Sequence, residues 1–203
     1  DQTIDASTFA GFVELNLASN AFDSSLTIKG GASTTDQVTT TISLEDNKIA
    51  SMTGIETLVV NSTDNDPSAS IDLSNVTGLT TVSAKFDTGT NADQIEIDKL
   101  PAGTNVKLTS THATGDVLDL GAADASSTTT AVKVEVTSMA STTSTVDIDA
   151  AGVETFTLYN KSGSATNTFD LAGVTPTTDS KTKIIVTGVG ATLKTLATDV
   201  DTV

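Results

Sequence analysis

The residues of this chain that are most able to do chemistry carry side-chain oxygens and lie in two compact clusters. Asp64-Asn65-Asp66 places three oxygen donors directly before a proline, and Asp87 through Asp93 reads Asp-Thr-Gly-Thr-Asn-Ala-Asp. Carboxylate, amide and backbone oxygens are the ligands that Ca²⁺ takes, six to eight at a time. The second run lacks the terminal bidentate Glu of an EF-hand, which excludes that motif. Both clusters predict calcium binding through a different kind of loop.

A second pattern places an acid or amide after a glycine-containing turn and just before an apolar strand. The instances end at Asp36, Asp93, Asp116 and Asn167. They resemble the calcium-binding nonapeptide Gly-Gly-x-Gly-x-Asp-x-apolar-x of RTX proteins, in which successive coils share the ion. Asn167 departs from the Asp position, and only Gly30-Gly31 keeps a glycine pair. An ordinary Gly/Asp turn at the start of a strand is the alternative. The predicted calcium ligands are therefore Asp36, Asp64, Asp66, Asp87, Asp93 and Asp116.

Catalytic residue types are scarce in this sequence. His112 is the only histidine, and the chain contains no cysteine and no tryptophan. A Ser/His/Asp site would depend on that one histidine, which lies among Ser and Thr. Paired carboxylates arise by chance in any chain this acidic, so they do not indicate a glycosidase. We expect the protein not to be an enzyme.

The charge balance excludes several classes of partner. The net charge is −16, from 26 acidic residues against ten basic residues that are all lysine. Nucleic-acid recognition depends on positive potential and on arginine, so no nucleic-acid partner is expected. An anionic membrane surface would repel the chain, and no apolar run reaches the ~20 residues of a membrane helix. No membrane insertion is expected.

A repeat of about 24 residues must position these oxygens. The segment beginning Gly54-Ile55-Glu56-Thr57 returns at Gly152, 98 residues later, with weaker copies at Gly78 and Gly103. An apolar-acid-apolar triplet is interleaved with steps of 24, 23, 28 and 23 residues. Its members are Ile71-Asp72-Leu73, Ile95-Glu96-Ile97, Leu118-Asp119-Leu120, Val146-Asp147-Ile148 and Phe169-Asp170-Leu171. Two strands per repeat in constant order indicate coils stacked along one axis.

A parallel β-solenoid is the architecture that this pattern favours, with a β-sandwich as the alternative. The sandwich predicts tight Asn-Gly or Asp-Gly hairpin turns, and the sequence has none. The solenoid explains the recurring acid, because each acid would point outward while its two neighbours face the core. We expect Leu58, Val82, Val106 and Phe156 to form one core column. A second column should contain Ile71, Ile95, Leu118 and Phe169.

The domain organisation predicted is a single elongated β-repeat domain over residues 1–203, a fragment of a larger surface protein. No Pro- or Gly-rich linker divides the chain. Between residues 28 and 54 the repeat loses its even steps, which predicts an insertion or a change of coil shape. Residues 191–203 fit either a short helix or a further strand.

The two segments Gly54-Ile55-Glu56-Thr57-Leu58 and Gly152-Val153-Glu154-Thr155-Phe156 resemble the recurring Gly-(Ile/Val)-Glu-Thr-apolar segments of bacterial S-layer proteins exported by type I secretion. Those proteins share the Thr/Ser/Ala/Asp-rich, cysteine-free, acidic composition of this chain. The resemblance implies a structural segment of an extracellular surface layer that self-assembles with Ca²⁺ on the bacterial cell, in contact with cell-surface polysaccharide. The alternative is a segment of a large secreted RTX-type adhesin that binds glycan or a host surface.

Overall fold

A computed structural model describes most of the chain. The described residues are 1–43, 47–63, 69–87, 91–110, 115–122, 131–138, 145–163, 167–176, 182–196 and 200–202. Every regular element in these ranges is a β-strand, and none of the described residues belongs to a helix that could cross a membrane. The predicted all-β class is therefore confirmed.

Strands recur along the whole described chain. In chain order they are β1 (Gln2–Asp5), β2 (Glu14–Asn16), β3 (Leu26–Lys29), β4 (Gln37–Thr41), β5 (Asn47–Lys48), β6 (Ser51–Thr53), β7 (Thr57–Asn61), β8 (Ala69–Asp72), β9 (Val76–Thr77), β10 (Thr81–Lys85), β11 (Gln94–Leu100), β12 (Asn105–Ser110), β13 (Asp116–Ala122), β14 (Ala131–Val136), β15 (Thr145–Ala151), β16 (Thr155–Asn160), β17 (Thr168–Leu171), β18 (Val174–Thr175), β19 (Thr182–Gly188), β20 (Thr192–Leu196) and β21 (Val200–Thr202).

These strands form a parallel β-solenoid of about six turns spaced about 24 residues apart. A nine-stranded sheet runs β2-β4-β7-β10-β12-β14-β16-β19-β21, and an eight-stranded sheet runs β20-β17-β15-β13-β11-β8-β5 with β18 beside β15. Strands that follow one another along the chain lie in different sheets, and paired strands come from successive coils. The pairing is parallel and not antiparallel, so the sandwich alternative is wrong.

Alternating side chains build one core between the two large sheets. Along β16, Phe156, Leu158 and Asn160 are buried while Thr155, Thr157 and Tyr159 face outward. Side chains with β-branches suit this half-buried pleated surface, which is why a Val-, Ile- and Thr-rich chain forms it with so few aromatic residues. The buried residues of all coils form a single continuous cluster.

The core columns differ from the expected ones by slips of two residues. Leu58, Val82 and Val106 do share a column, but it continues through Val134 to Leu158. Phe156 pairs instead with Val132, so its predicted place was wrong. A slip of two residues keeps every side chain on its face, and the hydrophobic pattern therefore cannot reveal it.

The eight-stranded sheet shows the same effect. Ile95 and Leu118 pair as expected, and their column continues to Ile148. Ile71 pairs with Ile97, and Phe169 pairs with Val146, so neither belongs to the Ile95 column. All four residues of the predicted column are nevertheless fully buried.

The first coils have a third side, which explains the uneven steps before Gly54. A four-stranded sheet in the order β1-β3-β6-β9 forms that side, and Leu26 belongs to it. Leu58 belongs to the nine-stranded sheet, where it pairs with Val38 only 20 residues earlier. The coil shape therefore changes in this region, as predicted. At the other end, residues 192–196 and 200–202 are strands, so the structure selects the strand for that segment.

Glycines form a column at one corner of the early coils. Gly54 has a φ of 65°, a left-handed conformation that side chains disfavour. A Cβ on Gly30 would overlap the carbonyl oxygen of Gly54 in the next coil. Close approach of backbones at this corner thus requires glycine and fixes the start of the strand that follows.

Candidate functional site

Asp36, the first predicted calcium ligand, is fully buried at the start of β4. Its Oδ1 accepts a hydrogen bond from the backbone N of Val13 at 2.9 Å, and its Oδ2 accepts one from the N of Gly31 at 2.7 Å. Both carboxylate oxygens therefore already serve backbone donors of an earlier coil and of its own turn. For this residue the arrangement fits the alternative, an ordinary Gly/Asp turn that joins coils, better than it fits a cation ligand.

Glu56 of the Gly-Ile-Glu-Thr segment completes this junction. Its Oε2 accepts a hydrogen bond from the backbone N of Asp36 at 2.9 Å. Its own carbonyl accepts from the N of Thr80 at 2.9 Å and of Thr81 at 3.0 Å. The segment is thus a corner unit: glycine makes the turn, Ile55 is buried, and the glutamate ties neighbouring coils together.

Asp93 and Asp116 are brought together at the start of two adjacent strands of the eight-stranded sheet. The backbone N of Asp93 donates to Oδ1 of Asp116 at 3.2 Å, and Oδ2 of Asp93 accepts from Oγ of Ser62 at 3.3 Å. The two aspartates are 2% and 1% exposed. Asp36 lies at the edge of the other large sheet, so the six predicted ligands do not form one site.

Asp87 connects to this pair through Ser62. Its backbone N donates to Oγ of Ser62 at 3.1 Å, and Asp87 lines an open recess with Asn61, Ser62, Lys85 and Phe86. Asp64 and Asp66 lie outside the described residues, as does His112. Within the described ranges no three His, Cys, Asp or Glu side chains converge in a geometry that could hold a metal ion.

Asn167 occupies the place of the aspartate in a later coil and sits in an amide network. Its Nδ2 donates to Oγ of Ser162 and to Oδ1 of Asn160, and Nδ2 of Asn160 donates to the carbonyl of Gly190 at 2.6 Å. Oδ1 of Asn167 finds no donor among the described residues although the residue is buried. With Asn167 in place of Asp, the contact between coils at this position is neutral, whereas it is charged at Asp36, Asp93 and Asp116.

An outward-facing set of carboxylates covers the eight-stranded sheet, and we call it the acidic face. It comprises Asp72, Glu96, Asp98, Asp119, Asp147, Asp149 and Asp170. In the strand register Asp72 lies beside Asp98, Glu96 beside Asp119, Asp119 beside Asp149, and Asp147 beside Asp170. Directly opposed parallel strands lie about 4.8 Å apart, so these carboxylates form ladders of like charge.

The ladder perturbs the ionisation of its central members. Burial raises the pKa of Asp119, and the charges of Asp149 and Asp98 raise it further. Burial likewise raises the pKa of Asp149, with Asp170 adding to the effect. The pKa of Asp147 is raised by burial and by Asp170, against the opposing charge of Lys194. The folded state therefore holds these ionised carboxylates at a free-energy cost.

Lysines compensate the acidic face at its two ends. Lys48 lies 2.8 Å from Asp72, and Lys194 lies 3.3 Å from Asp170. Burial would raise the pKa of Asp72, but hydrogen bonds from Lys48 and Ser74 lower it to about 2. The unfavourable charge is consequently concentrated in the middle coils.

Glycines lie against two of the carboxylates. A Cβ on Gly121 would come within 2.8 Å of Oδ1 of Asp98, and a Cβ on Gly173 would overlap Oδ1 of Asp149. The absent side chains leave room for each carboxylate against the backbone of the next coil. Sequence reasoning found five acids of this face through the triplet but missed Asp98 and Asp149, which follow a triplet acid by two residues.

The outer side of the nine-stranded sheet carries the opposite charge, and we call it the Lys–Tyr face. It comprises Lys85, Lys107, Lys133, Tyr159, Lys161 and Lys183. The Nζ atoms of Lys133 and Lys161 lie 5.5 Å and 4.9 Å from the centre of the Tyr159 ring. Such distances allow cation–π attraction, which holds the two lysines over the ring. Sequence reasoning missed this face, although each lysine alternates with buried apolar residues.

Comparison with known proteins adds no assignment: no family model matches the sequence, and neither a curated protein nor a solved structure matches it.

Proposed function

We propose that this chain is a structural segment of an extracellular bacterial surface-layer protein that self-assembles in the presence of Ca²⁺. The single observation that carries the proposal is the acidic face, on which carboxylates lie beside one another on successive strands of a parallel sheet. A protein that forms a lattice needs contacts that repeat, and a solenoid offers the same surface at each turn.

The corner units support the same proposal. The resemblance to S-layer proteins rests on Gly54-Ile55-Glu56-Thr57 and its copy at Gly152. In both copies the glycine has positive φ, and the apolar residue after it, Ile55 or Val153, is buried. The motif thus has a structural task in stacking coils, as expected for a segment whose work is mechanical.

Calcium would act on the acidic face by relieving like-charge repulsion. Asp119 and Asp149 carry raised pKa values because they are partly buried and lie beside other carboxylates. A divalent cation held between outward carboxylates would remove part of that cost in the folded state only. Flexible carboxylate ladders suit Ca²⁺, which accepts variable oxygen geometry, better than Mg²⁺, which demands a tight octahedron.

Thermal unfolding in three solutions tests the calcium part. A ligand at a hundred times its Kd stabilises the folded state by about 2.7 kcal/mol. For a chain of this size that corresponds to a rise in Tm of roughly 5–10 °C. We expect this rise in millimolar Ca²⁺ relative to chelator, and a much smaller one in Mg²⁺.

Matched variants locate the effect. The double variant Asp119→Asn/Asp149→Asn should lose most of the calcium response. The control Asp5→Asn/Asp23→Asn removes the same charge from exposed carboxylates elsewhere, one at the end of β1 and one in a turn, and should keep the response. Identical melting curves in all three solutions would remove calcium from the proposal and leave the acids as a means of keeping the protein soluble.

A further inference from the structure

The charges of this chain are separated onto two faces of the solenoid. Five of the ten lysines of the sequence lie on the Lys–Tyr face, and the seven carboxylates of the acidic face lie on the other large sheet. Both sheets direct their alternate side chains into one core, so their outer faces point away from each other. A molecule with a net charge of −16 thus presents a local positive surface opposite its most negative one.

The Lys–Tyr face keeps most of its positive charge available. Among the described outward residues of β10, β12, β14, β16 and β19 the one carboxylate is Glu135, which lies beside Lys107 in the register, pairs with Lys161 at 3.2 Å and has a side chain that is only 16% exposed. Lys85, Lys107 and Lys183 form no ion pair with a described carboxylate. The ring of Tyr159 adds a flat, half-buried surface between Lys133 and Lys161, a combination of aromatic and cationic groups that is typical of binding surfaces.

The two faces are opposite in charge and extend over the same coils. Strands β10 to β19 carry the lysines and strands β8 to β17 carry the acids, so both faces span the same coils. Each coil contributes one strand to each sheet, and both sheets therefore repeat at the same interval of about 4.8 Å. The lysines do not share one register column, since Lys107 lies beside Glu135 and Lys133 lies beside Asn105 and Thr157, so the faces correspond in the coils they cover and in charge.

From these observations we infer that the Lys–Tyr face docks onto the acidic face of a second copy of this chain. The contact is heterologous, because each copy uses a different face, and it leaves both outer faces of the pair open for further copies. The inference rests on the proposed self-assembly and specifies the surfaces that carry it. Residues of both faces are already ordered on sheet strands, so docking costs little backbone entropy.

Solution conditions set when this contact forms. Copies of net charge −16 repel at long range. At about 0.15 M salt that repulsion is screened beyond about 8 Å, whereas a lysine and a carboxylate in contact are screened much less. Ca²⁺ held between Asp119 and Asp149 lowers the net negative charge and leaves the other carboxylates of the acidic face to attract lysines, so association should appear in Ca²⁺ at moderate salt and weaken at about 1 M salt.

Charge reversal of each face, measured by sedimentation velocity in Ca²⁺, tests the inference. Lys107→Glu/Lys133→Glu cancels the positive charge of the Lys–Tyr face, and Glu96→Lys/Asp147→Lys replaces two carboxylates of the acidic face by lysines without touching the carboxylates that lie against glycines. Each variant alone should lose association by at least tenfold in concentration. A 1:1 mixture should recover it, because each variant then offers the face that the other needs. Lys29→Glu/Lys99→Glu changes the net charge equally but lies off the Lys–Tyr face, and it should associate like the parent chain.

The outcomes separate this inference from the proposed function. If the parent chain and both reversed variants associate equally, self-assembly stands and the assignment of faces is overturned. If the parent chain remains monomeric in Ca²⁺, the proposed function itself fails. If lysine reversal abolishes binding to an anionic polysaccharide such as heparin but leaves association intact, the Lys–Tyr face serves a glycan and the inference is wrong.

Circular dichroism checks that each variant folds. Should a reversed variant not fold, Lys107→Gln/Lys133→Gln must weaken association while Lys29→Gln/Lys99→Gln must not.

Discussion

Replacing Asp36 by alanine removes the acceptor for two backbone donors, one buried and one partly buried. The carboxylate receives the N–H groups of Val13 and Gly31 at 2.9 Å and 2.7 Å, and Asp36 is completely shielded from solvent. The Val13 bond is buried and the Gly31 bond is partly buried, so water replaces the lost acceptor poorly. Each buried donor left without a partner costs about 1–3 kcal/mol. The variant should therefore lose about 3–5 kcal/mol of unfolding free energy.

Asp23→Ala provides the matched control. The carboxylate of Asp23 also accepts two hydrogen bonds, from the N of Ser25 at 2.7 Å and from its Oγ at 2.6 Å, but in an exposed turn. Water can replace both bonds there, and a surface substitution of this kind costs within about 0.5–1 kcal/mol. The contrast between the two variants isolates burial as the cause.

Urea unfolding followed by circular dichroism measures both variants, each in chelator and in Ca²⁺. We expect the loss in Asp36→Ala to be the same in the two solutions, because the carboxylate serves backbone donors and not a cation. A loss below about 1 kcal/mol in Asp36→Ala would refute the hydrogen-bond reasoning. A loss that appears only in Ca²⁺ would support the prediction that Asp36 is a calcium ligand.

Three further tests concern packing and charge. Thr40→Val removes a buried hydroxyl that has no partner among the described residues, and it should stabilise the folded state by about 1 kcal/mol in urea unfolding. Thr182→Val removes a hydroxyl that donates to a carbonyl at 2.6 Å, and it should destabilise the folded state by about 1–2 kcal/mol. The reverse order of stabilities would contradict this reasoning. Gly173→Ala forces a Cβ into Asp149 and should lower the free energy of unfolding by about 1–3 kcal/mol. Adding Asp149→Ala should recover most of that loss. A loss that the second substitution leaves unchanged would point to backbone strain instead. Because the pKa of Asp119 is raised in the folded state, its ionised form opposes folding, so stability should rise as pH falls from neutral towards the ordinary value of 3.8. Asp119→Asn should therefore be more stable than the parent at pH 7, with a difference in Tm that shrinks on acidification; a pH-independent difference would exclude ionisation as the cause.

The solenoid was predictable because its evidence is redundant along the chain. Loops between strands vary in length, yet most strands keep the alternation of buried and outward residues, as in Val132-Lys133-Val134. The repeat therefore remains visible in a sequence of low complexity. The exact pairing was not predictable, since a slip such as Phe156 onto Val132 instead of the Leu58 column leaves the alternation unchanged.

At the candidate sites, the sequence could not predict in which direction each carboxylate points. Asp36 and Asp93 follow similar turns, but one closes a junction in the nine-stranded sheet and the other pairs with Asp116 in the eight-stranded sheet. Which oxygen meets which N–H depends on the neighbouring coil, 20 or more residues away. A turn pattern alone cannot distinguish a cation ligand from a capped junction.

The Lys–Tyr face was missed for a different reason. Lys107, Lys133, Tyr159 and Lys183 are each unexceptional outward residues separated by more than 20 positions. Only the pairing of β12, β14, β16 and β19 places them on one surface. A search that aligned the predicted strands and compared their outward positions could have found it.

Electron microscopy of the surface of cells that produce this protein tests the proposed lattice role most directly. An ordered array that dissolves in chelator and returns with Ca²⁺ is the predicted result. Dispersed, unordered protein on that surface in Ca²⁺, together with tight and saturable binding to a glycan, would contradict the lattice and support the adhesin.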